Sequence, residues 1–290
     1  MFAKKGLSVA LGGGGARGLA HIGALRVLQN EGIPVAQLVG VSMGAIVGGA
    51  YAQLGDIDAV EKKFRMLMES GEYKANGMLY TGINKVASGW FEHIACHIRE
   101  QTVINVANFK ESVFPSQRLY KILEMVLRDE KIEHTGIPFA IVATDLYQGR
   151  DVIIDSGPMI EAVMASSSLP GYFPPVKVGE KLLIDGAFTF PVPIEPAKAR
   201  MPGRKVVAID VSDTMPANPV LEYSIDIVLQ SYNITARRYH DLQVKNADVL
   251  IEPNVGHYHW SEFDKIDYFI QEGEKATLKK LADIKKLLRR

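Results

Sequence analysis

A single cysteine, Cys96, stands among 290 residues. It excludes an intramolecular disulfide and a cysteine-rich zinc site, and it suits a reducing compartment. Net charge is missing too: 33 Lys and Arg balance 33 Asp and Glu, so no overall field draws the chain to nucleic acid. No apolar run approaches the roughly 20 residues of a membrane span. The N-terminal MFAKKGLSVALGGGGARG meets its glycines before completing the about 7–15 apolar residues of a secretory h-region, and shows no small-residue cleavage site. Fixed-period repeats and low-complexity tracts are absent. What is present, 47% apolar and 23% charged residues, is the composition of a soluble globular chain. The expectation is a cytoplasmic α/β protein, read as one domain over 1–290.

Short apolar runs read as buried strands at Leu7–Leu11, Gln37–Val41, Pro138–Thr144, Asp151–Asp155, Lys181–Ile184, Lys205–Val211 and Asp248–Ile251. Periodic segments between them read as helices, among them Arg17–Glu31 closed by Gly32 and Met43–Leu54 closed by Gly55. Strands without polar alternation, separated by helices, predict a mostly parallel sheet covered on both faces. From about 56 to 133 the pattern changes to helices at Asp58–Glu69 and Arg118–Glu130 around a loop-rich passage bearing Met78, Tyr80, Trp90 and Phe91. This stretch reads as a cap inserted into the domain. At the C-terminus, about 262–290, a basic amphipathic helix is expected: Lys275–Arg290 holds seven Lys or Arg against one Asp. Such a helix either lies on an anionic membrane or packs its apolar face on the body, the commoner case.

The most informative motif is Gly40-Val41-Ser42-Met43-Gly44, a G-x-S-x-G between a strand and an apolar helix. That context suits a nucleophile elbow, a tight turn that exposes a serine hydroxyl over a helix N-terminus; the plain alternative is a helix capped by serine. The second motif is Gly12-Gly13-Gly14-Gly15-Ala16-Arg17-Gly18. It satisfies G-x-G-x-x-G, but the acidic ribose anchor expected at the end of the next strand is replaced by Gly40-Val41-Ser42. Its other reading is an oxyanion hole, with backbone N–H groups aimed at one oxygen.

The serine needs a base. Histidines occur at positions 21, 93, 97, 134, 240, 257 and 259, and Asp185 followed by His240, His257 or His259 formally matches the α/β-hydrolase order. A nucleophile after only two strands fits that fold badly. Asp185 itself, at the end of an apolar strand and followed by Gly186-Ala187, is the alternative base if desolvation raises its pKa.

Together these blocks resemble the patatin-like phospholipases. Gly13-Gly14-Gly15-Ala16-Arg17-Gly18 is similar to that family's oxyanion loop, and Gly40-Val41-Ser42-Met43-Gly44 to its nucleophile elbow. Ala165-Ser166-Ser167-Ser168-Leu169-Pro170-Gly171-Tyr172-Phe173-Pro174-Pro175 is similar to its Ser- and Pro-containing block, and Asp185-Gly186-Ala187 to its aspartate block. The resemblance covers roughly residues 7–190 and is closest to the compact bacterial members. It implies a three-layer α/β/α fold and a calcium-independent lipid ester hydrolase with Ser42 as nucleophile and Asp185 as general base. It also implies oxyanion donors at Gly13, Gly14, Gly15 and Met43. Arg17 is expected to organise the loop or meet a substrate phosphate. No cofactor or metal is expected. The partner is a lipid or fatty-acyl ester, with peripheral membrane contact, at the inner face, a candidate. An acyltransferase using the same serine and a non-catalytic acyl-binding protein are the competing functions.

The other chemical residues read more plainly. His93 and His97 flank Cys96 at helical spacing, but Ile94 stands where a zincin places glutamate. His21 reads as a packing residue, and His257-Tyr258-His259-Trp260 as an aromatic patch. Ser166, Ser167 and Ser168 lack an elbow. Asp145 and Asp210, both at strand ends, are rivals to Asp185 and read as hydrogen-bonding anchors.

Overall fold

The structure, a computed structural model, describes residues 6–70, 112, 114–212, 219, 221, 224–256 and 258–289. The expectations placed on Met78, Tyr80, Trp90, Phe91, His93, Cys96, His97 and His257 lie outside these residues, as does the centre of the expected cap.

The described strands form one eight-stranded mixed sheet. They are β1 (Leu7–Leu11), β2 (Val35–Gly40), β3 (Phe139–Asp145), β4 (Arg150–Ile154), β5 (Val176–Val178), β6 (Lys181–Asp185), β7 (Val206–Ile209) and β8 (Val249–Ile251). The order is β5-β6-β3-β2-β1-β7-β8, with β4 also paired to β3. From β3 to β8 the neighbours run parallel, while β4, β5 and β6 supply antiparallel pairs.

Side-chain alternation divides the core. Val9 and Leu11 of β1 point into one apolar cluster, with Leu38, Ile141, Val207 and Ile209. Ala10 points into the other, with Val39, Ala140, Val142 and Ala208. Both faces are therefore buried, which is why these strands read as continuous apolar runs. Helices α1 (Ala20–Asn30), α2 (Met43–Leu54), α3 (Ile57–Glu69), α4 (Ser116–Val126) and α5 (Met159–Ser166) contribute to the first cluster. α6 (Ile194–Arg200) covers the second. The flanks of the expected cap, α3 and α4, bury Val60, Phe64 and Leu67, and Leu119, Leu123 and Val126, in the main core.

The expected helix Arg17–Glu31 is divided: Gly15–Leu19 is a 3₁₀ turn and α1 starts at Ala20. β7 stops at Ile209 because Asp210 turns its side chain back to the Ser212 N–H. β5 was not legible; it is a short, largely exposed edge strand joined to β6 by the turn at Gly179.

Two further helices follow, α7 (Ser224–Gln243) and α8 (Ile266–Leu287). The C-terminal helix packs its apolar face on the body: Ile266, Phe269, Ile270, Ala276 and Ile284 are buried. It crosses α1 where two glycines meet. A Cβ on Gly23 would strike the Ile270 carbonyl, and one on Gly273 would strike the Ala20 carbonyl. Gly23→Ala is therefore expected to cost about 1–3 kcal/mol by overpacking, seen as a lower Tm. An unchanged Tm would show that the crossing has slack. Among the described residues no helix is long and apolar enough to cross a membrane.

Candidate active site

Register brings two chain segments together. β4 takes one edge of β3 over Ile141–Asp145. β2 pairs with Phe139–Ile141 and β6 with Ala143–Asp145, so they share the other edge end to end. Gly40 lies opposite Ile141 and Asp185 opposite Ala143. The turn after β2 and the end of β6 thus meet over the middle of β3.

Ser42 occupies that turn as the cap of α2, with φ 52° and ψ −122°. It is the only non-glycine with positive φ among the described residues. The surroundings hold it there: its N–H donates to Ser166 Oγ at 2.9 Å, and Ser166 Oγ–H donates to the Val142 carbonyl at 2.6 Å. Its carbonyl accepts from Ala45 and Ile46. Gly44 is required by close approach, since a Cβ would enter the Leu11 carbonyl of β1.

The Ser42 hydroxyl and the Asp185 carboxyl line the same cavity, where the hydroxyl favours the ionised carboxylate. The Asp185 carboxylate also accepts from the Ala187 N–H at 2.9 Å. Asp185 is 1% exposed, and burial pushes its pKa from 3.8 to about 6, against the Ser42 hydroxyl and the Ala187 N–H, which favour the charge. An aspartate so placed is a stronger base than a solvated one, while still ionised at neutral pH.

The glycine loop after β1 faces the same space. Gly12 N–H donates to the Ile209 carbonyl and Gly13 N–H to the Pro191 carbonyl at 2.9 Å. This corrects the expectation for Gly13: its donor is already engaged in holding the loop. Gly14, Gly15 and Met43 line a cavity of about 90 Å³ with Ser42 and Asp185, and their N–H groups are not drawn into backbone pairing among the described residues. Gly15 has φ 56° and lies against the Trp260 carbonyl, which accepts the Ala16 N–H at 2.6 Å. Arg17 is 4% exposed; its Nε donates to the Gly14 carbonyl at 3.3 Å, and its side chain also reaches the cavity wall.

Apart from Ser167, the rest of the wall is apolar or aromatic: Ile46, Leu119, Leu169, Tyr172, Phe173, Trp260 and Phe263. Tyr172 and Trp260 meet edge to face, with centroids 5.0 Å apart. Trp260 was expected in an aromatic patch; it belongs to the cavity wall, through contacts that no local pattern announces. Ser166, weighed as a nucleophile, instead clamps the elbow backbone. Ser168 Oγ donates to the Met164 carbonyl and the Ser168 carbonyl accepts from Asp185 N–H; Ser167 lines the cavity.

The buried histidines serve elsewhere. His21 Nε2 donates to the Gly12 carbonyl at 2.7 Å, and burial lowers its pKa to about 4, so it is neutral. His240 Nε2 meets Asp210 Oδ2 at 2.7 Å. Burial alone would lower the His240 pKa, but the Asp210 carboxylate outweighs it and the net shift is upward. Asp210 is lowered by its partners despite its burial. Asp145 accepts from the Tyr147 N–H. Both rival aspartates are thus anchors of loops.

Against known proteins, the family model described as patatin-like phospholipase matches residues 9–198. An uncharacterized NTE family protein of Mycobacterium tuberculosis is 33% identical over 194 residues, 66% of this chain and 45% of the relative. Patatin-like phospholipase domain-containing protein 7 of Rattus norvegicus is 30% identical over 208 residues, 71% of this chain and 13% of the relative. The chain thus spans under half the length of these relatives. In structure it is similar to VipD from Legionella pneumophila, with a TM-score of 0.50 at 14% identity over 97% of this chain and 67% of that one; this similarity is one of fold.

Proposed function

The chain belongs to the patatin-like phospholipase family, whose model spans residues 9–198, and from that membership we propose that it hydrolyses carboxylic esters of lipids with Ser42 and Asp185 as a catalytic pair. The family implies lipid hydrolase activity. The observation that carries the finer reading is the meeting of Ser42 and Asp185 at one largely apolar cavity, beside loop N–H groups without a backbone partner among the described residues.

In the proposed reaction Asp185 accepts the Ser42 hydroxyl proton as Oγ bonds to the ester carbonyl carbon. The carbonyl electrons move onto its oxygen, held by N–H groups of Gly14, Gly15 and Met43. Collapse breaks the C–O bond, and the leaving alcohol takes the proton from Asp185, leaving an acyl-Ser42. Water then gives a proton to Asp185, attacks the acyl carbon, and the acid departs as Ser42 recovers its proton. Arg17 supports this chemistry by fixing the Gly14 carbonyl, and with it the direction of the loop. Nucleophile, base and donors all come from the chain, so the reading is calcium-independent.

The test is turnover of p-nitrophenyl esters of increasing acyl length, with and without EDTA, combined with mass spectrometry after fluorophosphonate treatment. Expected are turnover insensitive to EDTA, a single adduct on the peptide containing Ser42, and retained activity in His240→Gln. An adduct on Ser167, or loss of activity in a folded His240→Gln protein, would replace this mechanism. Release of acyl-alcohol rather than free acid when glycerol is added would mark an acyltransferase. Binding of esters without turnover would leave an acyl-binding protein.

A further inference from the structure

We propose that the outward face of α7 is a docking surface for an anionic lipid bilayer, adjoining the catalytic turn. The inference rests on the reading of the site as a lipid ester hydrolase and names the surface by which it meets its substrate phase.

Helix α7 carries an unusual share of the exposed large apolar side chains. Ile227, Val228, Tyr232, Ile234, Tyr239 and Leu242 are all exposed, Val228 and Leu242 by more than 60%. At 3.6 residues per turn, they fall within one sector of about 160°. Ser224, Ser231, Thr235 and Arg238 share the sector, and no carboxylate does. His240, on the opposite side, is buried against the body, as is Gln243 just beyond the Tyr232 edge.

The polar groups in the sector suit an apolar neighbour. Ser231 Oγ donates to the Ile227 carbonyl at 2.8 Å and Thr235 Oγ1 to the Ser231 carbonyl at 3.2 Å. Both hydroxyls are thereby satisfied within the helix and need no water. The two tyrosines are amphipathic side chains of the kind that sit at a headgroup boundary.

Charge selects the occupant. Asp241 is engaged by Arg237 and His240, outside the sector, whereas Arg238 is exposed within it. Against an anionic leaflet the same guanidinium is attracted, while the apolar side chains enter the headgroup boundary.

Position connects the surface to the chemistry. The Tyr232 ring lies 6.4 Å from that of Phe188, and Gln243 Nε2 donates to the Thr189 carbonyl at 3.1 Å. Phe188 and Thr189 belong to the turn that begins immediately after Asp185. α8, the basic helix first considered for membrane contact, has its apolar face packed in the core.

The experiment is co-sedimentation of the full chain with phosphatidylcholine vesicles, with and without phosphatidylglycerol. Wild type is compared with Val228→Ser/Leu242→Ser, Arg238→Glu, and a control at α8 and its C-cap, Leu278→Ser/Leu288→Ser. Thermal melts and turnover of a short-chain soluble ester report folding. Wild type is expected to bind phosphatidylglycerol vesicles; the α7 double variant should bind them about tenfold more weakly. Arg238→Glu should remove the preference for phosphatidylglycerol, and the control should bind as wild type does. Soluble ester turnover should be unchanged in all. Equal binding by the α7 double variant, or no binding by wild type, overturns the proposal. So does a wild-type dimer that the double variant dissociates without vesicle binding, which would assign the face to a second copy. Vesicle binding without any ester turnover would instead remove the hydrolase reading and leave the surface standing.

Discussion

Asp185→Asn is expected to lower kcat/KM for ester hydrolysis about 10²–10⁴-fold, the usual worth of a positioned general base, while making the folded chain more stable above pH 6. Burial raises the Asp185 pKa from 3.8 to about 6, so the folded chain holds this proton more tightly than the unfolded chain does. Stability from the protonated carboxyl is complete below pH 3.8 and is lost as pH rises through 6. A shift of that size corresponds to roughly 3 kcal/mol at most. Asparagine carries no charge to bury, and its carbonyl can still accept the Ala187 N–H. Its NH₂, however, can only donate, and Ser42 loses its proton acceptor.

Two measurements separate these effects. Urea melts at pH 4 and pH 8 should show the variant gaining on wild type only at the higher pH. Wild-type kcat/KM should rise with pH through about 6, where Asp185 ionises, and the residual activity of the variant should lack that limb. A limb that survives in Asp185→Asn would assign the titration, and the base, to another group.

How much of this was legible in the sequence follows the range of the interactions involved. The strands flanking Ser42 and Asp185 announce themselves because each is a continuous apolar run buried on both faces, and the elbow because Gly40, Ser42 and Gly44 are local to one turn. The meeting of Ser42 with Asp185 depends on β2 and β6 sharing one edge of β3, which no local pattern encodes; the resemblance to a family supplied that pairing. The clamp from Ser166 Oγ to the Ser42 N–H crosses 124 positions, and within its own segment Ser166 is one of three adjacent serines. Gly13 looked like a donor because glycine runs expose N–H groups, but Pro191 had no visible claim on it. Trp260 contributes a carbonyl and a ring wall from a stretch whose local pattern suggested only an aromatic patch. The outward face of α7 escaped notice for a different reason: an exposed apolar stripe and a buried one have the same period, and only the fold shows which side is covered.

Ser42→Gly and Ser42→Ala are each expected to lower kcat about 10⁴–10⁶-fold, and to differ from each other in stability. At φ 52° and ψ −122° the Cβ of any L residue is crowded, at a cost of order 1–3 kcal/mol. Alanine removes the hydroxyl and keeps that Cβ; glycine removes both. Ser42→Gly should therefore exceed Ser42→Ala in unfolding free energy by about 1 kcal/mol, the relief being partly offset by the greater freedom of glycine in the unfolded chain. The strain persists in the native protein because the Ser42 N–H is fixed by Ser166, its carbonyl caps α2, and Gly44 is pressed against β1. A serine relaxed to negative φ would break those bonds and carry its hydroxyl away from Asp185. Denaturant melts of the two variants decide the point: equal stabilities would mean that the turn is not strained. Ester turnover remaining within tenfold of wild type in either would mean that another residue attacks the substrate.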